Sequence, residues 1–307
     1  MSNSPWQGRM DKGVANRWHQ LIIESSHQVP QSISLIGFPC DEGVRRNHGR
    51  TGAKLGPNCI REMLVNLVYS GTKALTDLGD IECIGDELEE AQSDLSVLVA
   101  DTIKQESLPI ILGGGHEVAW GTFQGIRNVH PKSKVGIINF DAHFDLRPLE
   151  PKGSSGTPFR QAALWSEDHE VDFDYFVLGI NPSINTPLLF DYAKKQKVRW
   201  HSDLELRNDN FNSLTESLRS FCKPLDYIYL TICLDVFPAA YAPGVSAPAS
   251  LGVDPNIVFR LLDFITDNYK TKITALEIAE MNPSYDIDNR TARLAARLVH
   301  HLVERLA

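Results

Sequence analysis

The chain has 307 residues, of which 42% are hydrophobic and 22% charged, and its formal net charge is −9. This composition is ordinary for a globular protein, and the acidic balance excludes the clustered Lys and Arg of a nucleic-acid binder. The N-terminal MSNSPWQGRMDKG lacks a signal peptide's apolar core, and no apolar run approaches the roughly 20 residues that span a bilayer. A cytoplasmic protein with neither membrane nor nucleic-acid partners is expected.

Residues 1–30 are polar and weakly periodic and read as an N-terminal arm. No repeat or linker-like run interrupts residues 31–307, which read as one unit. The first strand is expected at Ile33–Phe38. A helix over Leu88–Gln105 then leads to a strand at Pro109–Leu112, a helix over Ala119–Val129 and a strand at Val135–Phe140. Strands at Tyr175–Gly179 and Lys197–Trp200 precede a helix over Phe211–Phe221. A strand at Tyr227–Leu234, a helix over Pro255–Asp267, a strand at Ile273–Ile278 and a helix over Thr291–Arg305 complete the chain. Several strands, Val135–Phe140 most plainly, are apolar on both faces, the mark of a parallel sheet covered by helices on each side. The fold class is therefore α/β, a three-layer α/β/α arrangement, and ligands in such sheets bind beyond the carboxyl ends of the strands.

Three of those strand ends carry unusual residues. Pro109–Leu112 runs into Gly113-Gly114-Gly115-His116, whose glycines allow a tight turn that leaves His116 at the sheet's edge. Val135–Phe140 runs into Asp141-Ala142-His143-Phe144-Asp145, and on an extended segment those three polar side chains would line one face. The third strand ends in Cys233-Leu234-Asp235. Carboxylates and imidazoles facing one point repel or titrate badly unless a cation sits among them, and oxygen-rich sets with a few imidazoles suit a hard ion such as Mn²⁺. Each motif alone has a structural reading, as a solvated strand end or a helix cap; three together point to a metal centre.

Gly-Gly-Gly-His, Asp-Ala-His-x-Asp and the strand leading to Ala242-Pro243-Gly244 resemble the three signatures of the arginase (ureohydrolase) superfamily. Gly49-Arg50-Thr51-Gly52-Ala53, with Gly56-Pro57 and Ile60-Arg61, and the run Leu276-Glu277-Ile278-Ala279-Glu280-Met281-Asn282-Pro283 extend the resemblance from about Ile33 to the C-terminus. The resemblance implies a mostly parallel eight-stranded sheet and two Mn²⁺ ions. One ion would be held by His116, Asp141, Asp145 and residue 233, the other by Asp141, His143, residue 233 and Asp235. Ser154-Ser155-Gly156-Thr157-Pro158 carries Ser155 where the arginase and agmatinase branches have His. It resembles the branch that hydrolyses N-formimidoyl-L-glutamate to L-glutamate and formamide, a step of histidine degradation. So do Pro238–Pro248 and Asn282–Asp288. The implied roles are Glu280 pairing with the cationic amidine and Asp145 carrying a proton from the attacking hydroxide, held between the ions, to the departing amine. Ser155 and Gly156 would lie beside the substrate. Arg147 is the first choice for its carboxylates, with Arg160 and the loop Asn181–Asn185 as weaker ones. An arginase- or agmatinase-type activity is the alternative substrate class, and the superfamily is compatible with a homo-oligomer.

Cys233 departs from the family pattern of Asp-x-Asp. A soft thiol is a poor partner for manganese, so occupancy of the two sites is in question. Cys233 could hold a softer ion such as Zn²⁺, form a disulfide with Cys40, or be a small buried residue; a protein that keeps the fold but has lost turnover is the corresponding alternative. Five cysteines, an odd number without CxxC pairing, favour a reducing compartment.

Overall fold

The computed structural model describes residues 4–13, 15–25 and 27–307. Among these residues nine strands form one sheet: β1 (Ile22–Glu24), β2 (Ile33–Phe38), β3 (Leu75–Asp80), β4 (Leu108–Gly113), β5 (Val135–Phe140), β6 (Asp174–Ile180), β7 (Arg199–Ser202), β8 (Tyr227–Cys233) and β9 (Ile273–Ala279). Their order is β1-β3-β2-β4-β9-β8-β5-β6-β7, and every pairing is parallel. The seven strands placed from the sequence correspond to β2 and β4–β9; β3 brings the number to the eight that the resemblance implied, and β1 adds a ninth from the arm.

Helices cover both faces, and the period-two side-chain alternation assigns strand residues to two cores. Ile33, Leu35, Ile110, Leu112, Ile138 and Phe140 pack with α3 (Gly56–Leu64), α8 (Phe211–Cys222), α9 (Pro255–Tyr269) and α10 (Arg290–Leu306). Ile36, Phe38, Ile111, Val135 and Ile137 pack with α4 (Leu88–Lys104), α5 (Val118–Val129), α6 (Pro158–Asp168) and α7 (Pro187–Lys195). Both faces are thus dry, as the two-sided apolar runs require. α9 begins with Asp254 accepting from Asn256 N at 2.7 Å and with Pro255 in its first turn, a start that satisfies an orphan amide and presets φ. Two short helices, α1 (Trp18–Leu21) and α2 (Glu42–Arg46), lie before α3.

The polar arm hides two anchors. Trp6 and Trp18 are buried and stacked with their centroids 6.2 Å apart. Trp6 donates its indole N–H to Asp77 at 2.8 Å, and Trp18 donates to His300 at 3.1 Å. Few but large, these rings bury enough apolar area to hold the arm on the sheet without a periodic pattern.

Consecutive strands β4 and β5 are separated in the sheet by β9 and β8. That reversal of direction opens a crevice at the carboxyl ends of the four central strands, the place where such sheets bind ligands.

Candidate active site

The four central strands each deliver acidic or imidazole groups to this crevice. β4 passes through Gly114 into His116. Gly114 N donates to Phe38 O at 2.8 Å, and a Cβ on Gly114 would lie 1.7 Å from the Cys40 carbonyl oxygen, so only glycine lets the turn press against the end of β2. β5 delivers Asp141, His143 and Asp145. This segment is not extended as expected. His143 N donates to Asp141 Oδ1 at 2.7 Å, closing a turn, and Asp145 takes φ +50, which swings its carboxylate back to the same point. β8 ends at Cys233, with Asp235 in the following 3₁₀ turn, and β9 delivers Glu280 at φ +69. Left-handed backbone at two non-glycine acids is a cost that surrounding structure must over-determine, and it gathers at working sites.

All seven side chains meet. His116 Nδ1 lies 3.0 Å from Asp141 Oδ2 and 2.9 Å from Asp145 Oδ2, and His143 Nδ1 lies 3.1 Å from Asp235 Oδ2 and 3.5 Å from Asp141 Oδ1. Among the described residues, two candidate donor sets emerge, His116–Asp141–Cys233 and Asp141–His143–Asp235, each with its ligand atoms within 4.8 Å of one another. Asp141 belongs to both. Asn139 Nδ2 donates to its Oδ2 at 3.0 Å, which fixes the carboxylate between the sets.

Electrostatics favour a bound cation. Burial pushes Asp145 up to about 6, with the Asp141 charge adding to it, and pushes Glu280 up to about 7, helped by Asp235. Burial would lower His116, but the carboxylates of Asp141 and Asp145 outweigh it and hold the imidazole well above its usual value. Burial and then the charges of Asp141 and Asp235 raise the Cys233 thiol, so it is neutral without metal. Several buried atoms in the cluster make no hydrogen bond: His116 Nδ1, despite two carboxylate oxygens beside it, Asp235 Oδ1 and Glu280 Oε2. Buried polar atoms left unsatisfied are costly. Lone pairs converging on a divalent ion remove that cost, so the donor set fits one or two such ions. Cys233 is its one soft member.

The crevice is a cavity of about 330 Å³ whose lining includes His116, His143, Asp145, Cys233, Asp235 and Glu280. Arg147 and Ser155 also line it. Gly156 does not. It abuts Arg147, where a Cβ would approach Arg147 Cδ to 2.8 Å, and its carbonyl accepts from Arg147 N at 2.9 Å. Arg160 stacks its guanidinium 3.4 Å over the Tyr192 ring and does not line the cavity. Asn185 lines it, yet spends its amide on Phe144 N, Ala142 O and Asn181 O, holding the loop. No Cys40–Cys233 disulfide is present: all five cysteines are free, and the Cys40 thiol lies beside that of Cys83. Sequence reasoning missed Asn47, His48 and Arg50, which line the cavity from the loop after α2. The one local signal was the stretch Gly49-Arg50-Thr51-Gly52-Ala53, which contains Arg50 and follows the other two.

The sequence matches the profile of the arginase family over residues 31–304. It is similar to the formimidoylglutamase of Ralstonia nicotianae, 44% identical over 98% of this chain and 95% of that one. A similar match is the formimidoylglutamase of Hahella chejuensis, 45% identical over 97% and 93%. Among solved structures, the formimidoylglutamase of Bacillus subtilis aligns with a TM-score of 0.86 at 25% identity over 98% of this chain and 94% of that one. A Trypanosoma cruzi formiminoglutamase with Mn²⁺ aligns with a TM-score of 0.80 at 26% identity over 89% and 93%.

Proposed function

The chain belongs to the arginase family and is a hydrolase of the formimidoylglutamase kind, and on that premise we propose that it cleaves N-formimidoyl-L-glutamate to L-glutamate and formamide with two manganese ions at the crevice. The observation that carries this reading is Asp141, shared by two donor sets whose other members, His116, Cys233, His143 and Asp235, line the same cavity as Glu280 with its unpartnered oxygen. His116, Asp141, Asp145 and Cys233 would hold one ion, and Asp141, His143, Asp235 and Cys233 the other. Bound there, the metal supplies a water of lowered pKa, hence a nucleophile near neutral pH.

The chain's own residues do the rest. Glu280 Oε1 accepts from His116 N at 3.0 Å, which locks the carboxylate, and leaves Oε2 for the substrate's amidinium. The amidine carbon is then held over the metal donors. Asp145, a ligand with a second carboxylate oxygen, is placed to take a proton from the attacking water and return it to the departing amine. Arg147 lines the cavity and makes no ion pair or side-chain hydrogen bond among the described residues, and a guanidinium matches a carboxylate. Ser155 Oγ, at 3.2 Å from Asn47 Nδ2, adds a polar wall without an imidazole's charge.

The test is formamide release after manganese loading. Release from formimidoylglutamate, without urea from arginine or agmatine, is expected; urea from either guanidine would refute the substrate assignment. Arg147→Ala should raise KM roughly 10–100-fold with kcat largely kept, the size of one charged hydrogen bond. An unchanged KM would remove Arg147 from the substrate's carboxylates.

Cys233→Asp should tighten manganese binding by about tenfold or more, because it trades a soft neutral thiol for hard oxygens. Calorimetric titration of both proteins with Mn²⁺ checks this. Equal affinities would mean that Cys233 is not a ligand.

A further inference from the structure

Glu277 is a carboxylate that none of the steps above uses. It lies in β9 at 1% exposure, and its partner in register on β8 is Thr231. Two hydroxyls are aimed at it: Thr122 Oγ1 donates to Oε2 at 2.5 Å and Thr231 Oγ1 donates to Oε1 at 3.1 Å. Thr231 Oγ1 also lies 3.1 Å from His116 Nε2, and Glu277 Oε1 is 3.9 Å from that nitrogen, too far for a direct bond.

A hydroxyl has a single proton to give. If Thr231 gives it to the Glu277 carboxylate, its oxygen can only accept from His116, so Nε2 carries the hydrogen. The other nitrogen, Nδ1, is then the one left to offer a lone pair to a bound cation, and it is the atom that faces Asp141 and Asp145 without a hydrogen bond. Metal-binding histidines are commonly oriented by a carboxylate on their far nitrogen. Here a threonine stands between the two.

We propose that Glu277, acting through Thr231, is the positioning group that fixes the tautomer and ring orientation of His116 for metal binding. The proposal rests on the metal reading of the crevice. Glu277 touches neither substrate nor ion. Its effect reaches the site through one hydroxyl, so a change that keeps the hydroxyl should keep the function.

Full-length Thr231→Val, Thr231→Ser and Glu277→Gln proteins, titrated with Mn²⁺ alone by calorimetry, test this. Val keeps the shape of Thr but lacks the hydroxyl, and it should weaken one of the two bound ions about 10–100-fold. Ser should bind within a few-fold of the unaltered protein. Glu277→Gln, whose amide can donate to Thr231 and reverse the relay, should weaken the same ion, and it carries the test if the valine variant does not fold. Unaltered affinity in a folded Thr231→Val or Glu277→Gln protein overturns the proposal. Failure of the unaltered protein to take up manganese would instead bring down the metal reading and this inference with it.

Discussion

Asp141→Asn is expected to lower manganese content to background and formamide release by at least about 10³-fold, since the activated water is lost with the metal. Asp141 is the one residue common to both donor sets. Its two oxygens are already oriented by donors, Oδ1 by His143 N at 2.7 Å and Oδ2 by Asn139 Nδ2 at 3.0 Å. An asparagine there would set an NH₂ against one of those donors and withdraw a negative charge from both sets. The fold should survive, because strand β5 is held by its apolar faces rather than by this carboxylate. Metal analysis beside an activity assay checks both parts. A variant that keeps its manganese would show that Asp141 does not bridge.

Glu280→Gln should behave in the opposite way: metal content retained, with kcat/KM down roughly 10²–10³-fold, the cost of losing one partner of a buried charge pair. Glutamine can still accept from His116 N through its oxygen, so the loop stays in place. Its NH₂ would replace the unpartnered Oε2 and present donors to a substrate group that is itself all donors. Kinetics with formimidoylglutamate, alongside metal analysis of the same preparation, separate the two effects. Loss of manganese in this variant would make Glu280 a metal ligand rather than a substrate-binding group.

Much of this site could be read from local sequence because each contribution is a short motif at the end of an apolar strand. Gly113-Gly114-Gly115-His116 and Asp141–Asp145 were legible for that reason, and the two-sided burial of β5 and β8 announced a covered parallel sheet. β3 escaped notice, since Leu75–Asp80 is half polar and its last residues are exposed. β1 escaped as well, being three residues held by pairing with β3 rather than by its own pattern.

Partnerships across the sheet were harder to foresee. Thr231 and Glu277 are 46 residues apart and meet only because β8 and β9 are neighbours in register. A threonine inside an apolar strand reads as an ordinary β-former. Its place two residues past Asp145 put Arg147 ahead of Arg160 in the sequence, but spacing does not say what either guanidinium meets. In the structure, Tyr192 lies under the Arg160 guanidinium, while among the described residues nothing pairs with that of Arg147.

Crystals of the full chain soaked in Mn²⁺ and measured above the manganese absorption edge bear most directly on the claim that this rim is a two-metal hydrolase centre. Two anomalous peaks are expected, one beside His116 Nδ1 and Cys233 and one beside His143 Nδ1 and Asp235, with Asp141 between them. A rim without anomalous signal at saturating manganese, or signal confined to other parts of the molecule, would contradict it.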